Sequence, residues 1–259
     1  PQYQKHIDTY CRPLGTTDAT FKDFNREQRP SKPPTQVEID TIIPVVIDIL
    51  GAKPFRPVHF TDTPNAKLPL STGTGYHNRS SYTYNIHAKY AAPPRYKNKP
   101  TSKGRFFPTV FPIYRLIIHN MKYHGTPLSC KQTTPLDARQ RELARFIINH
   151  PTIMFTRNHI SKKAGPWKQR PVYAVDDCFL YIEVMLFLPL ICQARKLTSC
   201  IMYSLETIRG GCHYLDSVAK SYQSYFTIDW SSFDQRLPRV ITDMYFQYFL
   251  PSLIIINKG

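Results

Sequence analysis

The stretch Phe226-Thr-Ile-Asp229-Trp-Ser-Ser-Phe-Asp234-Gln-Arg236 decides how this chain is interpreted, because it delivers two carboxylates directly after an apolar run. The run from Tyr225 to Ile228 predicts a short buried strand, and Asp229 stands at its carboxyl end, where α/β-type sheets usually expose their chemistry. Mg²⁺ takes a few hard oxygen ligands and keeps the rest of its shell for water and phosphate. The segment therefore predicts a metal site that includes Asp229.

The second carboxylate, Asp234, follows Asp229 after a Ser-Ser turn and stands at the start of a predicted apolar helix. An acid about one helical turn beyond the strand end points back toward the same pocket, where it can accept a hydrogen bond from a ribose hydroxyl. Acids at this spacing are also common on solvated turns, so an ordinary turn stays open as the alternative. The preceding apolar run favours the site.

The chain is strongly basic. Its 259 residues include 34 Lys and Arg against 18 Asp and Glu, which gives a formal net charge of +16. Such a charge repels itself unless a polyanion is the usual partner, and this favours nucleic acid. No acid occurs between Asp62 and Asp137, or between Glu142 and Asp176. A solvated basic face and an anionic membrane are the alternatives, and the two acid-free intervals favour nucleic acid over both.

With 42% apolar residues, the chain has ample core material for one large or two smaller domains. No apolar N-terminal segment resembles a signal peptide, and the run 178–192 is too short for a bilayer span and is broken by Glu183. We therefore expect a cytosolic protein without a membrane partner. Six cysteines form no Cys-x-x-Cys pair, which predicts reduced core residues and no zinc site. They are Cys11, Cys130, Cys178, Cys192, Cys200 and Cys212.

Two stretches place glycine and small residues beside cations, Leu70 to Arg79 and Pro100 to Arg105. Main-chain amides in such turns can cradle phosphate, although an ordinary turn explains the first stretch at least as well. The second is followed by Phe106 and Phe107, and single-stranded nucleic acid favours this mixture of basic and aromatic residues. Around both stretches, from 54 to 112, we expect loops and small strands, with strand-like alternation from Ser81 to Ile86.

The segment Lys162 to Val175 begins with basic residues and ends in a strand-forming run. A rigid strand lined with Lys and Arg can neutralise a triphosphate without a costly rearrangement. An exposed basic loop is the alternative, and the segment alone does not decide between the two.

Helices are predicted where apolar residues recur at a spacing near 3.6. Thr134-Pro135 is a reasonable cap and first-turn pair for one of them. A polar helix or an extended lead is expected over 214–224, after a turn at Gly210-Gly211. The other predicted helices are 42–50, 111–123, 136–149, a buried one over 179–192, and an apolar one from 239 to about 248.

Two motifs, in this order, resemble the RNA-dependent RNA polymerases of partitiviruses and related double-stranded-RNA viruses. Lys168-Gln-Arg170-Pro-Val-Tyr-Ala resembles the finger motif that binds the incoming triphosphate, and Asp229-Trp-Ser-Ser-Phe-Asp234 resembles the first palm motif. The stretches 71–79 and 101–105 resemble finger regions more loosely. The resemblance implies an α+β right-hand polymerase with an N-terminal arm over 1–60, fingers over 61–220 that include the triphosphate motif at about 162–175, and the start of a palm over 221–259.

Carried over by position, the resemblance implies that Asp229 coordinates Mg²⁺ or Mn²⁺ with help from the Trp230 carbonyl, and that Asp234 recognises the ribose 2′-hydroxyl. It implies RNA template and product, nucleoside triphosphates and a viral capsid protein as partners, in the virion interior or the host cytoplasm. The implied triphosphate contacts are Arg170, Lys168, Lys162 and Lys163, and the implied RNA contacts are Arg79, Lys103 and Arg105.

The chain departs from the family after the first palm motif, because it has no Ser-Gly motif and no Gly-Asp-Asp hairpin. Val175-Asp176-Asp177 is not interpreted as that hairpin, since it directly follows the predicted strand and leads into the buried helix. We therefore expect a partial polymerase, with fingers and an incomplete palm, that is truncated before the hairpin and inactive by itself. A non-enzymatic RNA-binding or capsid-associated module is the alternative. A phosphohydrolase using Asp229 and Asp234 would need further His or Asp ligands.

Overall fold

The computed structural model describes residues 3–25, 27–28, 30–127, 135–165, 169–196, 201 and 210–256. The chain divides into two compact units. The first unit comprises Pro1–Asn25 and Phe60–Glu183, and the second comprises Arg26–His59 and Val184–Gly259. Helices and antiparallel strand pairs occur together, so the expectation of a mixed helix and sheet protein is confirmed.

The helices and strands are numbered here in chain order. The helices are α1 Gln4–Thr9, α2 Thr17–Phe24, α3 Gln36–Leu50, α4 Tyr76–Ser80, α5 Tyr82–Ala91, α6 Lys103–His124, α7 Leu136–Asn149, α8 Asp177–Ala194, α9 Gly211–Ala219, α10 Phe233–Arg236, α11 Arg239–Met244 and α12 Leu250–Leu253. The strands are β1 Tyr10–Cys11, β2 Ile153–Asn158, β3 Ser161–Lys162 and β4 Gln169–Ala174. Single 3₁₀ segments cover Phe60–Ala66 and Pro94–Tyr96, and a π turn covers Tyr245–Phe249.

The expectation of loops and small strands between 54 and 112 holds only in part, because loops are present but α4, α5 and the first half of α6 also lie there. The alternation after Ser81 is helical: the Ser81 side chain accepts a hydrogen bond from the Tyr84 amide and caps α5. Helix α6 is capped in the same way by Ser102. Local capping hydrogen bonds therefore prevail over the strand-like pattern.

The core of the first unit forms around α6. Phe106, Val110 and Tyr114 recur every four residues on one face of this helix and are almost completely buried. A residue spacing of four places side chains above one another on a helix, so a single apolar stripe results. Phe60 stacks on Phe111 with ring centroids 4.5 Å apart and completes this core.

The main strand pair is the antiparallel hairpin of β2 and β4, in which Ile153 lies opposite Ala174 and Asn158 opposite Gln169. Helix α2 packs on it, with the Phe24 ring 6.1 Å from that of Tyr173. The strand predicted within 162–175 is therefore confirmed. Strands β1 and β3 form a second, two-residue antiparallel pair.

The second unit begins with α3, which extends the predicted helix over 42–50 toward the N-terminus. The Thr35 side chain and Glu38 form a reciprocal capping box at its start, and Gly51, with φ of 58°, ends it. Burial is concentrated around Phe55, which packs with Phe249, Leu250 and Leu253. The predicted helix after Arg239 is confirmed as α11, the π turn and α12.

Helix α8 differs from the prediction in two respects. Within it only Asp177, Cys178 and Tyr181 are buried, so the expectation of a helix buried throughout is wrong. Its 18 residues have a mean hydropathy of 1.6, so by length and composition it could cross a membrane, contrary to the expectation for the run 178–192. The core helix of a soluble protein passes the same test.

The cysteine prediction holds only in part. Cys178 is buried and free, whereas Cys192 and Cys212 are exposed and free, so these two are not core residues. Cys130 and Cys200 lie outside the described residues, as does Thr134, the predicted cap of α7. Helix α7 itself has the predicted bounds.

The buried strand predicted from Tyr225 to Ile228 is also wrong. Residues 224–230 form no regular element, and the Phe226 side chain is 86% exposed. A strand needs a neighbour to satisfy its backbone amides and carbonyls, and no strand among the described residues pairs with this segment. Apolar composition without a pairing partner therefore does not produce the strand.

Candidate nucleic-acid interface

The two glycine-containing stretches, far apart in sequence, pair with each other. Gly73 forms an isolated antiparallel bridge with Ser102, and the Thr74 amide donates to the Thr101 carbonyl at 2.8 Å. The Lys103 amide in turn donates to the Thr72 carbonyl at 2.9 Å. The loop from Ser71 to Gly75, which we call the glycine loop, is therefore fixed along the start of α6. The sequence patterns of the two stretches do not reveal this pairing.

Two of the three predicted RNA contacts flank this loop and donate hydrogen bonds to its carbonyls. The Lys103 ammonium donates to the Gly73 carbonyl at 2.7 Å, and the Arg79 Nε donates to the Thr74 carbonyl at 2.9 Å. The Arg79 guanidinium also lies over the Phe155 ring, 5.6 Å from its centroid. Among the described residues neither cation forms an ion pair with a carboxylate, so their charge is held in place by neutral carbonyls and is available to an anion.

These two cations line a pocket of about 680 Å³ in the first unit. Its walls come from the glycine loop, from the β2–β4 hairpin and from α8, which contributes Glu183. Phosphate can be bound by the cations and a base can stack on the aromatic rings, a combination typical of single-strand binding. The lining residues are Thr72, Gly73, Arg79, Thr101, Lys103, Phe155, Val172, Tyr173, Ala174, Val175, Leu180 and Glu183. We call this the basic pocket.

Arg105, the third predicted RNA contact, does not line the basic pocket. Its guanidinium donates to the Lys97 carbonyl at 2.6 Å. This contact joins the start of α6 to the end of the 3₁₀ segment at Pro94–Tyr96. The geometry therefore gives Arg105 a structural hydrogen bond and leaves its predicted role in RNA binding untested.

One of the predicted triphosphate residues, Arg170, lies on a strand that contributes to the basic pocket. Arg170 is in β4 and directly opposes Arg157 of β2. Side chains two residues apart share one face of a strand, so both arginines are on the face that carries Phe155 and Val172, two pocket residues. Sequence reasoning assigned no site role to Arg157. Arg157 could have been recognised as the neighbour of Arg170 only from the strand register.

The other predicted phosphate contacts are Lys162, Lys163 and Lys168. Lys162 is in β3, opposite Tyr10, and the Lys163 amide donates to the Thr9 carbonyl at 2.9 Å. Neither of them lines the basic pocket. Lys168 lies outside the described residues.

The acids of the predicted metal and ribose site, Asp229 and Asp234, belong to the second unit. Asp229 and Trp230 lie in the irregular segment and are exposed. Asp234 is in the first turn of α10, which follows Ser232, a residue with φ of 53°. Among the described residues no group of three or more His, Cys, Asp or Glu side chains could hold a metal ion. Asp229 with the Trp230 carbonyl is therefore an incomplete donor set by itself.

The pair Asp176-Asp177 is not an exposed metal-binding hairpin. Strand β4 ends at Ala174 and helix α8 begins at Asp177, so no second strand returns around the acids. Both side chains are almost completely buried. Asp176 and Asp177 therefore lie at a junction between a strand and a helix, as the sequence predicts.

Comparison with known proteins shows that the chain is similar along its whole length to a viral RNA-directed RNA polymerase. That polymerase comes from Atkinsonella hypoxylon virus (isolate 2H) and is 38% identical over 259 residues, 100% of this chain. The resemblance to the polymerases of partitiviruses is thereby confirmed. The chain spans 38% of the length of that relative. No family model and no solved structure matches the chain.

Proposed function

We propose that this chain is part of a viral RNA polymerase that copies an RNA template by nucleotidyl transfer, and that its basic pocket binds the phosphates and bases of RNA. In the reaction, the 3′-hydroxyl of the growing strand attacks the α-phosphorus of a nucleoside triphosphate in line, and pyrophosphate leaves. The observation that carries the proposal is the basic pocket, where two cations without a carboxylate partner among the described residues lie beside aromatic rings. The whole-length similarity to a viral polymerase supports it.

The finer architecture is part of this proposal. The fingers of a right-hand polymerase would include the first unit with its basic pocket, and the start of the palm would lie over 221–259. The arm over 1–60 and the fingers over 61–220 remain predicted boundaries.

Binding of the incoming triphosphate is assigned to the arginines of the hairpin. Arg157 and Arg170 oppose each other across β2 and β4, and a polyphosphate between them would neutralise both charges. Lys162, Lys163 and Lys168 would add positive charge from the neighbouring segments. Association would be steered by the net charge of +16 and weakened by salt.

The metal chemistry is proposed only for the larger protein. When bound, Mg²⁺ or Mn²⁺ would activate the attacking hydroxyl and stabilise the charge on the phosphates. Asp229 and the Trp230 carbonyl would supply some of its oxygen ligands, and Asp234 would accept a hydrogen bond from the ribose 2′-hydroxyl. Because the described residues do not complete this donor set, we expect the chain by itself to bind RNA without synthesising it.

A protein partner and a location in the cell or virion are also proposed. A viral capsid protein as partner, and the virion interior or the host cytoplasm as location, follow from the family and not from any described contact. The alternative of a non-enzymatic RNA-binding module is not favoured, because the similarity to a polymerase extends over the whole chain.

Photocrosslinking tests the proposed RNA site. Single-stranded RNA containing 4-thiouridine is irradiated with the chain, and crosslinked tryptic peptides are identified by mass spectrometry. Crosslinks should map to the glycine loop, to the start of α6 and to the β2–β4 hairpin. Crosslinks confined to the second unit would contradict the assignment of the basic pocket.

A further inference from the structure

A buried hydrogen-bond network joins the glycine loop to the start of α8, two elements that both contribute to the basic pocket. The Thr74 hydroxyl and the Asn78 side-chain amide both donate to Oδ2 of Asp177, the latter at 3.3 Å. Asn78 also donates to the Tyr114 hydroxyl at 2.8 Å, which connects the network to α6. Thr74 and Asn78 are 0% exposed and Asp177 is 3% exposed, so water does not substitute for these contacts.

The neighbouring Asp176 brings the same two segments into direct contact. Its Oδ1 accepts a hydrogen bond from the Cys178 amide at 3.0 Å at the start of α8. A Cβ atom on Gly75 would lie only 2.7 Å from the Cα atom of Asp176. The loop can approach the start of the helix this closely only because residue 75 is glycine.

The network fixes the loop carbonyls that hold the pocket cations. Thr74 uses its hydroxyl to contact Asp177 and its carbonyl to accept from Arg79, and the adjacent Gly73 carbonyl accepts from Lys103. A shift of Thr74 would therefore move both cations together. Arg79 and Lys103 donate to the loop carbonyls and not to Asp177, so the effect of Asp177 on them passes through the loop.

If the buried network served stability alone, apolar side chains would serve it better than the carboxyl groups of Asp176 and Asp177. Burial raises the pKa of Asp177 to about 6, against the opposing effects of the Thr74 hydrogen bond and the Lys103 charge. Its Oδ1 and the Oδ2 of Asp176 have no hydrogen-bond partner among the described residues. Buried carboxylates with unsatisfied oxygens cost stability, because they lose hydration without regaining all of its hydrogen bonds.

We infer that Asp177 is a positioning residue for RNA binding: through Thr74 it holds the glycine loop so that Arg79 and Lys103 face the basic pocket. The inference rests on the proposed function for the ligand. The geometry of the loop itself can be tested without RNA.

Two variants of Thr74 separate the hydroxyl from the bulk of the side chain. Thr74→Val keeps the shape and removes the donor to Asp177, whereas Thr74→Ser keeps the donor and removes a methyl group. The first readout is acetylation of the Lys103 amine by sulfo-NHS-acetate, relative to the exposed Lys89 in the same protein. In Thr74→Val the relative rate at Lys103 should rise several-fold, and Thr74→Ser should match the parent chain.

The second readout is the affinity for a fluorescent ten-nucleotide oligouridylate, measured on protein that remains folded by circular dichroism. Thr74→Val should bind about tenfold more weakly and with a shallower salt dependence, and Thr74→Ser should bind as the parent does. If Thr74→Val does not fold, Asn78→Ser, which also removes a donor to Asp177, is measured in its place.

The two readouts distinguish the inference from the proposed function. Unchanged Lys103 reactivity in the folded valine variant would overturn the positioning role. Unchanged RNA affinity together with increased Lys103 reactivity would also overturn it, because the loop would have moved without consequence. A parent chain that binds no RNA would overturn the proposed function, while the Lys103 rates would still report on the loop.

Discussion

Arg157 lies directly opposite Arg170 in the antiparallel β2–β4 pair. Directly opposed side chains of such a pair have Cβ atoms about 4.5–5.5 Å apart, and like charges there destabilise the sheet. Both residues share a strand face with Phe155 and Val172, which line the basic pocket. The hairpin therefore keeps two cations where a bound anion would neutralise both.

Replacing either arginine by glutamine should separate stability from binding. Arg157→Gln and Arg170→Gln should each stabilise the chain by up to about 0.5–1 kcal/mol, because the like-charge pair is removed. Each should also weaken RNA binding and reduce the slope of log K against log salt by about 1. Urea unfolding and fluorescence anisotropy measure the two effects. Lys89→Gln, on the exposed side of α5, is the control, and a loss of both stability and binding would contradict the account of this pair.

Gly75→Ala should destabilise the first unit. The added Cβ would lie 2.7 Å from a backbone atom of Asp176, which cannot move aside as a side chain can. Forced overpacking of this kind costs about 1–3 kcal/mol. Gly165→Ala is the matched control, since its Cβ would meet nothing closer than 3.9 Å. Equal denaturation midpoints for the two variants would show that the close approach of loop and helix does not occur.

The free energy of unfolding should depend on pH because of Asp177. Its pKa is raised from 3.8 to about 6 by burial, so the folded state binds a proton more tightly than the unfolded state. This contribution is fully present below pH 3.8 and is lost as pH rises through 6. From pH 7 to pH 4, the free energy of unfolding of the parent relative to Asp177→Asn should therefore increase by roughly 3 kcal/mol at most.

Urea titrations at several pH values measure this difference. The exposed Asp62, changed to Asn, is the matched control for the loss of one negative charge. A difference between the parent and Asp177→Asn that is constant across this range would exclude a raised pKa.

Substitutions of Asp229 and Asp234 should have different effects in a protein that covers the full length of the viral relative. Asp229→Asn should abolish nucleotide incorporation and leave RNA binding nearly unchanged. Asp234→Asn should relax the discrimination between ribonucleotides and deoxyribonucleotides more than it slows incorporation of ribonucleotides. Single-nucleotide extension with both sugar types measures this, and equal losses on both would remove Asp234 from ribose recognition.

Local sequence patterns predicted the elements whose determinants are themselves local. Helix α7 has the predicted bounds, and the strand that carries Arg170 was expected from its basic and β-forming residues. The two motifs also led to the polymerase family that the whole-length similarity supports. In these cases neighbouring residues determine the structure, so no distant contact had to be known.

The failures depend on distant partners or on competing local bonds. The apolar run ending at Ile228 was predicted as a strand, yet no described strand pairs with it. The alternation after Ser81 was predicted as a strand, but the Ser81 cap favours a helix. The pairing of Gly73 with Ser102 and of Arg157 with Arg170 depends on register, which single-sequence patterns do not specify.

The most direct test of the central claim measures the affinity of the chain for single-stranded RNA as a function of salt, with and without the two pocket cations. The parent chain should bind with a log K that falls steeply and linearly with log salt. The double variant Arg79→Gln with Lys103→Gln should lower the affinity and reduce that slope by about 2, while Lys89→Gln should leave the slope nearly unchanged. Salt-independent binding, or a folded double variant with the affinity and slope of the parent, would contradict the claim that the basic pocket binds RNA.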